Sequence, residues 1–195
     1  MLQPNREAEM NWAWVAVVAA VLAGLGEALG GPGGAWTVWG AEPELLLIFA
    51  VGLSLLAPDR QALWASIALG VLADLSGQPV AESPSLIGPR AIGYAAASWA
   101  ILRARPLLVR DAVRTLVLVT LPAGLIVLVV SVVLLALRQA PFFAGEPVVG
   151  GAGRYLLERL GDLLYTVVLA GPLGWAMLRA RGVLGLGGRL RDRSY

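Results

Sequence analysis

The sequence predicts an all-α integral membrane protein: one six-helix transmembrane bundle occupying the whole chain, residues 1–195. Three observations predict it. Hydrophobic residues make up 58% of the chain and charged residues only 14%, with a mean hydropathy of +0.75; soluble domains run near 45–50% apolar and about 25% charged. A chain of 195 residues is too short to hide that much apolar surface in a soluble core. The apolar residues also fall in separate runs, several of them near the roughly 20 residues that a spanning helix needs.

The first run is Trp12 to Leu29. It is too long for the apolar core of a typical signal peptide and leads into further spans. It ends at "GGPGGAWTVWGAEP", a Gly/Pro loop whose Trp36 and Trp39 suit a membrane–water interface. Two shorter runs follow, Glu44 to Leu56 and Ala62 to Leu75, separated by "APDRQ". Pro58-Asp59 is a turn signal. At 1.5 Å per residue a 14-residue helix covers only about 21 Å of a hydrocarbon core roughly 30 Å thick. These two runs therefore read as a tight helical hairpin, thinning the bilayer or sheltered by other helices, or else as a re-entrant pair. Either choice leaves the later helices on the same side.

The fourth span is expected from about Leu86 to Leu102, with Arg90 within snorkelling reach of the interface. The fifth, Thr115 to Leu137, is the clearest, carrying no charge and Pro122 in its first third, where a kink is expected. The sixth, about Leu160 to Leu178, is expected to be broken by Gly171-Pro172 and Gly174. A tail from about residue 182 to 195 reads as flexible.

Arginines in short loops set orientation. All 15 basic residues are Arg. With a cytoplasmic N-terminus, the inner segments hold Arg6, Arg60, Arg103, Arg105, Arg110, Arg114, Arg179, Arg181, Arg189, Arg191 and Arg193, and the outer ones only Arg90, Arg138, Arg154 and Arg159. Both termini are thus expected on the cytoplasmic side. The basic pI does not point to nucleic acid, because no long basic arm with interleaved aromatics occurs.

The chain has no Cys and no His, so thiol chemistry, disulfides, the commonest general base and the commonest metal ligand are missing. No P-loop, dinucleotide fingerprint, zinc spacing or nucleophile elbow occurs either. Neither a catalytic set nor a cofactor site is expected.

Four groups of residues remain as candidates. Asp74 closes an uncharged run at the C-terminal end of the third helix, where it opposes the helix dipole and needs a partner. Ser76, the Gly77 amide or Arg90 could supply one. It reads as a polar cap pinning the turn, as a contact to a partner or ligand, or as a proton-relay group. Gly26 and Gly30 flank Glu27 as a small-xxx-small pair suited to helix packing. Arg103, Arg105, Arg110 and Arg114 form a cluster suited to anionic lipid head groups or to a docked cytoplasmic partner. Glu158, Asp162 and Tyr165 recur with Arg154 at helical spacing, the Arg154–Glu158 pair at i,i+4, and read as a solvated face.

The order of these features resembles a known family. The hairpin opens with Pro43-Glu44-Leu45-Leu46-Leu47 and turns at Pro58-Asp59-Arg60. It continues through Gly70-Val71-Leu72-Ala73-Asp74-Leu75-Ser76-Gly77, and Ala91-Ile92-Gly93-Tyr94 follows on the fourth helix. This is similar to the bacterial rod shape-determining MreD family over about residues 42–102. The resemblance implies a non-enzymatic inner-membrane component of the cell-wall elongation machinery. Its implied partners are MreC, the actin-like MreB filament and the glycosyltransferase–transpeptidase pair that builds lateral peptidoglycan. It further implies that Asp74, Ser76, Gly77, Gly93 and Tyr94 are family-motif residues. It implies a fold similar to the substrate-binding subunits of energy-coupling-factor transporters, from which a rival expectation follows: a vitamin-binding subunit.

Overall fold

The computed structural model describes residues 10–30, 42–76, 88–108, 113–138 and 151–186, with residues 29–30, 135–136, 138 and 151–158 described in backbone only. Gly77, Arg110, most of the 182–195 tail and the Trp36/Trp39 loop lie outside the described residues. The described chain is all-helical. Its six α-helices are α1 Trp12–Gly30, α2 Leu45–Leu56, α3 Asp59–Ser76, α4 Pro89–Ala104, α5 Val113–Arg138 and α6 Gly151–Ala180. A single 3-10 turn, Arg105–Leu107, follows α4.

The short helix is the axis of the bundle. Every residue of α2 from Leu45 to Leu55 is buried, and α1, α3, α4, α5 and α6 all touch it. A helix apolar on every face has to be enclosed, and at 12 residues α2 is only about 18 Å long. Of the expected solutions for this run, sheltering by neighbours is the one found. Around it α3, α4, α5 and α6 form a consecutive wall, with α3–α4 the most extensive contact, and α1 lies against α2 and α3 at the edge.

Helices α2, α4 and α6 begin at one end of the bundle, here the upper end; α1, α3 and α5 begin at the lower end. Small residues let the helices close on one another. A Cβ added at Gly70 of α3 would lie 2.8 Å from the Arg90 carbonyl oxygen of α4, and one added at Gly93 of α4 would lie 3.1 Å from Val127 Cα of α5. Buried Ser54, Ser66 and Ser98 join α2, α3 and α4: the Ser54 hydroxyl donates to Ser98 Oγ at 2.8 Å and lies 3.3 Å from Ser66 Oγ.

Several boundaries differ from expectation. Helix α3 starts three residues earlier, at Asp59, because Pro58 supplies the first acceptor (Ala62 N–H to Pro58 O, 2.8 Å) and Asp59 suits the first turn. Helix α4 starts later, at Pro89, whose fixed φ and missing N–H fit a first helical position. Helix α6 begins at Gly151 and runs unbroken through Gly171, Pro172 and Gly174. Pro172 is on the exposed face, and Gly174 is where α6 meets Leu116 of α5. Among the described residues two helical segments are long and apolar enough to cross a membrane, Val113–Leu134 and Arg159–Ala180, and Trp12–Ala28 and Leu45–Leu56 are shorter apolar helices.

Candidate functional site

Helices α3 and α4 cap each other. Asp74 lies in the last turn of α3, and its carboxylate collects the open amides of α4. Oδ2 accepts from Gly88 N at 2.8 Å and from Ala91 N at 3.2 Å, and Oδ1 accepts from Arg90 N at 3.1 Å. Pro89 has no N–H to satisfy, and Ile92 N already donates to Gly88 O at 2.9 Å. One side chain thus serves every open donor at this helix start. Gly88, at φ 144°, holds a backbone conformation that a side chain would strain. In return, the Arg90 guanidinium donates to Ala73 O at 2.7 Å, placing a cation on the negative end of α3.

The predicted conflict between Asp74 and its own helix dipole is resolved in this way. The aspartate faces the positive start of α4, and an arginine answers the negative end of α3. Of the partners considered, Arg90 bonds Asp74 through its backbone amide. The Ser76 hydroxyl donates instead to Leu72 O within α3. The cap closes the α3–α4 connection from both sides.

A second polar group adjoins this cap at the upper end. Arg90 Nε lies 3.3 Å from Glu44 Oε1 at the start of α2, so Arg90 is held inside the bundle instead of snorkelling outward. The Glu44 amide donates to Thr166 Oγ1 at 2.9 Å, the Thr166 hydroxyl donates to Asp162 O at 2.7 Å, and the Glu42 amide donates to Asp162 Oδ1 at 2.8 Å. Arg159 Nη1 is 3.2 Å from Asp162 Oδ2. Asp162, with a side chain 16% exposed, is therefore not on a solvated face as expected; it fixes the entry of α2 against α6. The Glu158 and Arg154 side chains lie outside the described residues. A cavity of about 40 Å³ opens here, lined by Glu44, Arg90, Ser131, Arg159, Asp162 and apolar groups of α5 and α6. Tyr94, one turn below Arg90, is 1% exposed.

The lower end corrects another expectation. Arg105 does not face lipid or a docked partner. It is 4% exposed, with Nε donating to Ser54 O at 2.6 Å, Nη2 to Ala57 O at 2.7 Å and Nη1 to Asp59 Oδ1. The last carbonyls of α2 need donors, and one guanidinium fork supplies two. The phase of α4 carried the signal: Ala91, Tyr94, Ala97, Ser98 and Ile101 form its buried face, and position 105 continues that stripe. Arg103 and Arg114 are exposed as expected. Arg103 lies over the Trp99 ring at 5.4 Å, and Arg179 repeats the arrangement over Trp175 at 5.1 Å.

Among the described residues nothing beyond the local backbone of α1 lies within 4 Å of a Cβ placed on Gly26, and Glu27 is exposed. Gly26 continues the stripe of Val15, Ala19 and Leu22 along which α1 meets α2 and α3, but among the described residues no neighbouring helix packs against it, and the expected packing is not made there. Gly30 lies outside the side chains described. No group of three or more His, Cys, Asp or Glu among the described residues is arranged to hold a metal.

Comparison with protein-family models, with curated proteins and with solved structures yields no match to this chain.

Proposed function

We propose that this chain is a non-catalytic scaffold of the bacterial cell-wall elongation machinery, of the MreD kind, placed in the cytoplasmic membrane with both termini in the cytoplasm. It binds MreC through its lipid-facing helices and so supports lateral peptidoglycan synthesis and cell shape, next to MreB filaments and the glycosyltransferase–transpeptidase pair. The observation that carries this reading is that the motif residues sit where α3, α4 and α5 close on one another. Gly70, Asp74, Gly93 and Tyr94 lie on α3 and α4, where the glycines admit close neighbours and Asp74 serves a helix start. Residues arranged this way build a shape.

Membrane placement has support of its own. The exposed tryptophans Trp12, Trp14, Trp64, Trp99 and Trp175 all lie toward the lower end, together with exposed Arg60, Arg103, Arg114 and Arg179. Aromatic belts mark membrane–water interfaces and arginines gather on the cytoplasmic side, where anionic lipid head groups complement those cations. Large apolar side chains such as Leu118 (73% exposed) and Val168 (71% exposed) point outward from α5 and α6, as lipid contact requires.

Among the described residues the upper cavity gives the rival vitamin-binding reading little room. Sites for drug-sized ligands run to roughly 300–1,000 Å³, and this one is about 40 Å³. The deciding experiment is co-purification of the full chain with MreC from detergent after co-expression. Retention of MreC is expected. Separation of two well-expressed, folded proteins overturns the scaffold reading, and thermal stabilisation by a vitamin would favour the transporter.

A further inference from the structure

Helix direction sorts the arginines of the lower end into two kinds. Helices α4 and α6 run down to it, and each carries an exposed tryptophan followed one turn later by an exposed arginine: Trp99 and Arg103, Trp175 and Arg179. Long side chains on a helix lean toward its N-terminus. Each guanidinium therefore folds back over the ring above it, 5.4 Å from the Trp99 centroid and 5.1 Å from that of Trp175. Helices α3 and α5 run the other way, so there the arginine comes first. Arg60 precedes Trp64 and Arg114 precedes Leu118; these two cations lean away from the apolar side chain above them, and among the described residues neither lies over a ring.

The stripes on α4 and α6 also continue alike. Seven positions before each tryptophan stands an exposed β-branched residue, Ile92 or Val168. Read downward, each stripe is aliphatic, then indole, then guanidinium. A phospholipid of the lower leaflet presents acyl chain, ester region and phosphate in that order, and indoles favour the head-group level. The ring holds the guanidinium plane in place, and a planar fork already positioned loses less freedom when it takes phosphate oxygens. Among the described residues neither Arg103 nor Arg179 has a carboxylate partner, whereas Arg90, Arg105 and Arg159 each have one. Their charge is left for a ligand from outside the chain.

We infer that each of these arginine–tryptophan pairs seats one anionic phospholipid of the lower leaflet, with its phosphate on the guanidinium and an acyl chain along the stripe above, while Arg60 and Arg114 add only diffuse charge. The inference rests on the membrane placement proposed above.

The full chain, purified in detergent, is offered equal amounts of phosphatidylglycerol and phosphatidylcholine with the same acyl chains, and bound lipids are counted by native mass spectrometry. Phosphatidylglycerol is expected to be retained several-fold over phosphatidylcholine. Equal retention overturns the seats and leaves membrane placement standing; a chain that neither holds lipid nor enters lipid discs overturns both. Two double variants then carry the same change in net charge, all at exposed positions. Arg103→Gln with Arg179→Gln is expected to remove most of the preference, and Arg60→Gln with Arg114→Gln to leave most of it. Equal losses reduce the lower end to diffuse charge and overturn the inference. Arg103→Lys with Arg179→Lys keeps the charge without the planar fork and is expected to fall several-fold below the parent. Full retention there assigns the binding to charge alone and overturns the seats as well.

Discussion

At its lower end α4 passes into Arg105, 4% exposed, which donates to the last carbonyls of α2. At its upper end it presents Arg90, with a side chain 22% exposed, to a late carbonyl of α3. Both arginines answer a helix C-terminus, but in different surroundings. Below, α2 and α3 are joined by only Ala57 and Pro58, so the carbonyls and the guanidinium are packed into one buried knot with the exposed Asp59 carboxylate at its edge. Above, α3 and α4 are twelve positions apart, from Gly77 through Gly88, and the start of α4 needs an acceptor that the linker's length does not dictate. Asp74 provides it, and a polar cavity remains beside it. Short connections bury their caps; longer ones rely on a designated side chain.

The comparison breaks most visibly at Arg105. Arg105→Ala leaves two carbonyls without their donor in a buried site, and a loss of about 3 kcal/mol is expected, read by denaturant titration of helicity in detergent. An unchanged midpoint would mean that the guanidinium is dispensable there. Asp74→Leu strips three amides of their acceptor, with an expected loss of about 2 kcal/mol; Asp74→Asn keeps one oxygen and is expected to lose about 1 kcal/mol. Equal effects of the two would assign the loss to charge alone. Arg90→Gln is expected to cost less than about 1 kcal/mol, since water reaches this side chain and screens its pair with Glu44. If it proves as damaging as Arg105→Ala, the contrast between the ends fails. Gly26→Leu, which meets open space, is expected to stay within about 0.5 kcal/mol of the parent. A simultaneous loss of MreC retention would place the partner on α1.

The helical architecture was legible because apolar runs and Gly/Pro punctuation are local signals. The tertiary role of α2 was legible only in part: a run apolar on all faces suits lipid and protein interior equally, and its length alone hinted at shelter. Asp74 was visible as a group needing a partner, yet its donors lie up to 17 positions away across a turn whose path is not encoded locally. Arg105 was grouped with Arg103 because the two are adjacent in a basic stretch. Helical phase, not charge, separates them, since 103 shares the exposed face of Trp99 and 105 the buried stripe of Ile101. The helix persists through Gly171-Pro172 with the proline on its exposed face, a placement that composition does not reveal.

The enclosure of α2 imposes an order on assembly. Ribosomes deliver this helix second, yet four of the five helices that surround it, α3, α4, α5 and α6, are synthesised afterwards. A segment about 18 Å long cannot settle across a bilayer as an independent span. Between its synthesis and the arrival of Ala180 it depends on α1 and α3 for cover, or on a protein that shields it. The structural centre of the molecule is therefore completed last, and truncations that spare every residue of α2 still leave it without a place.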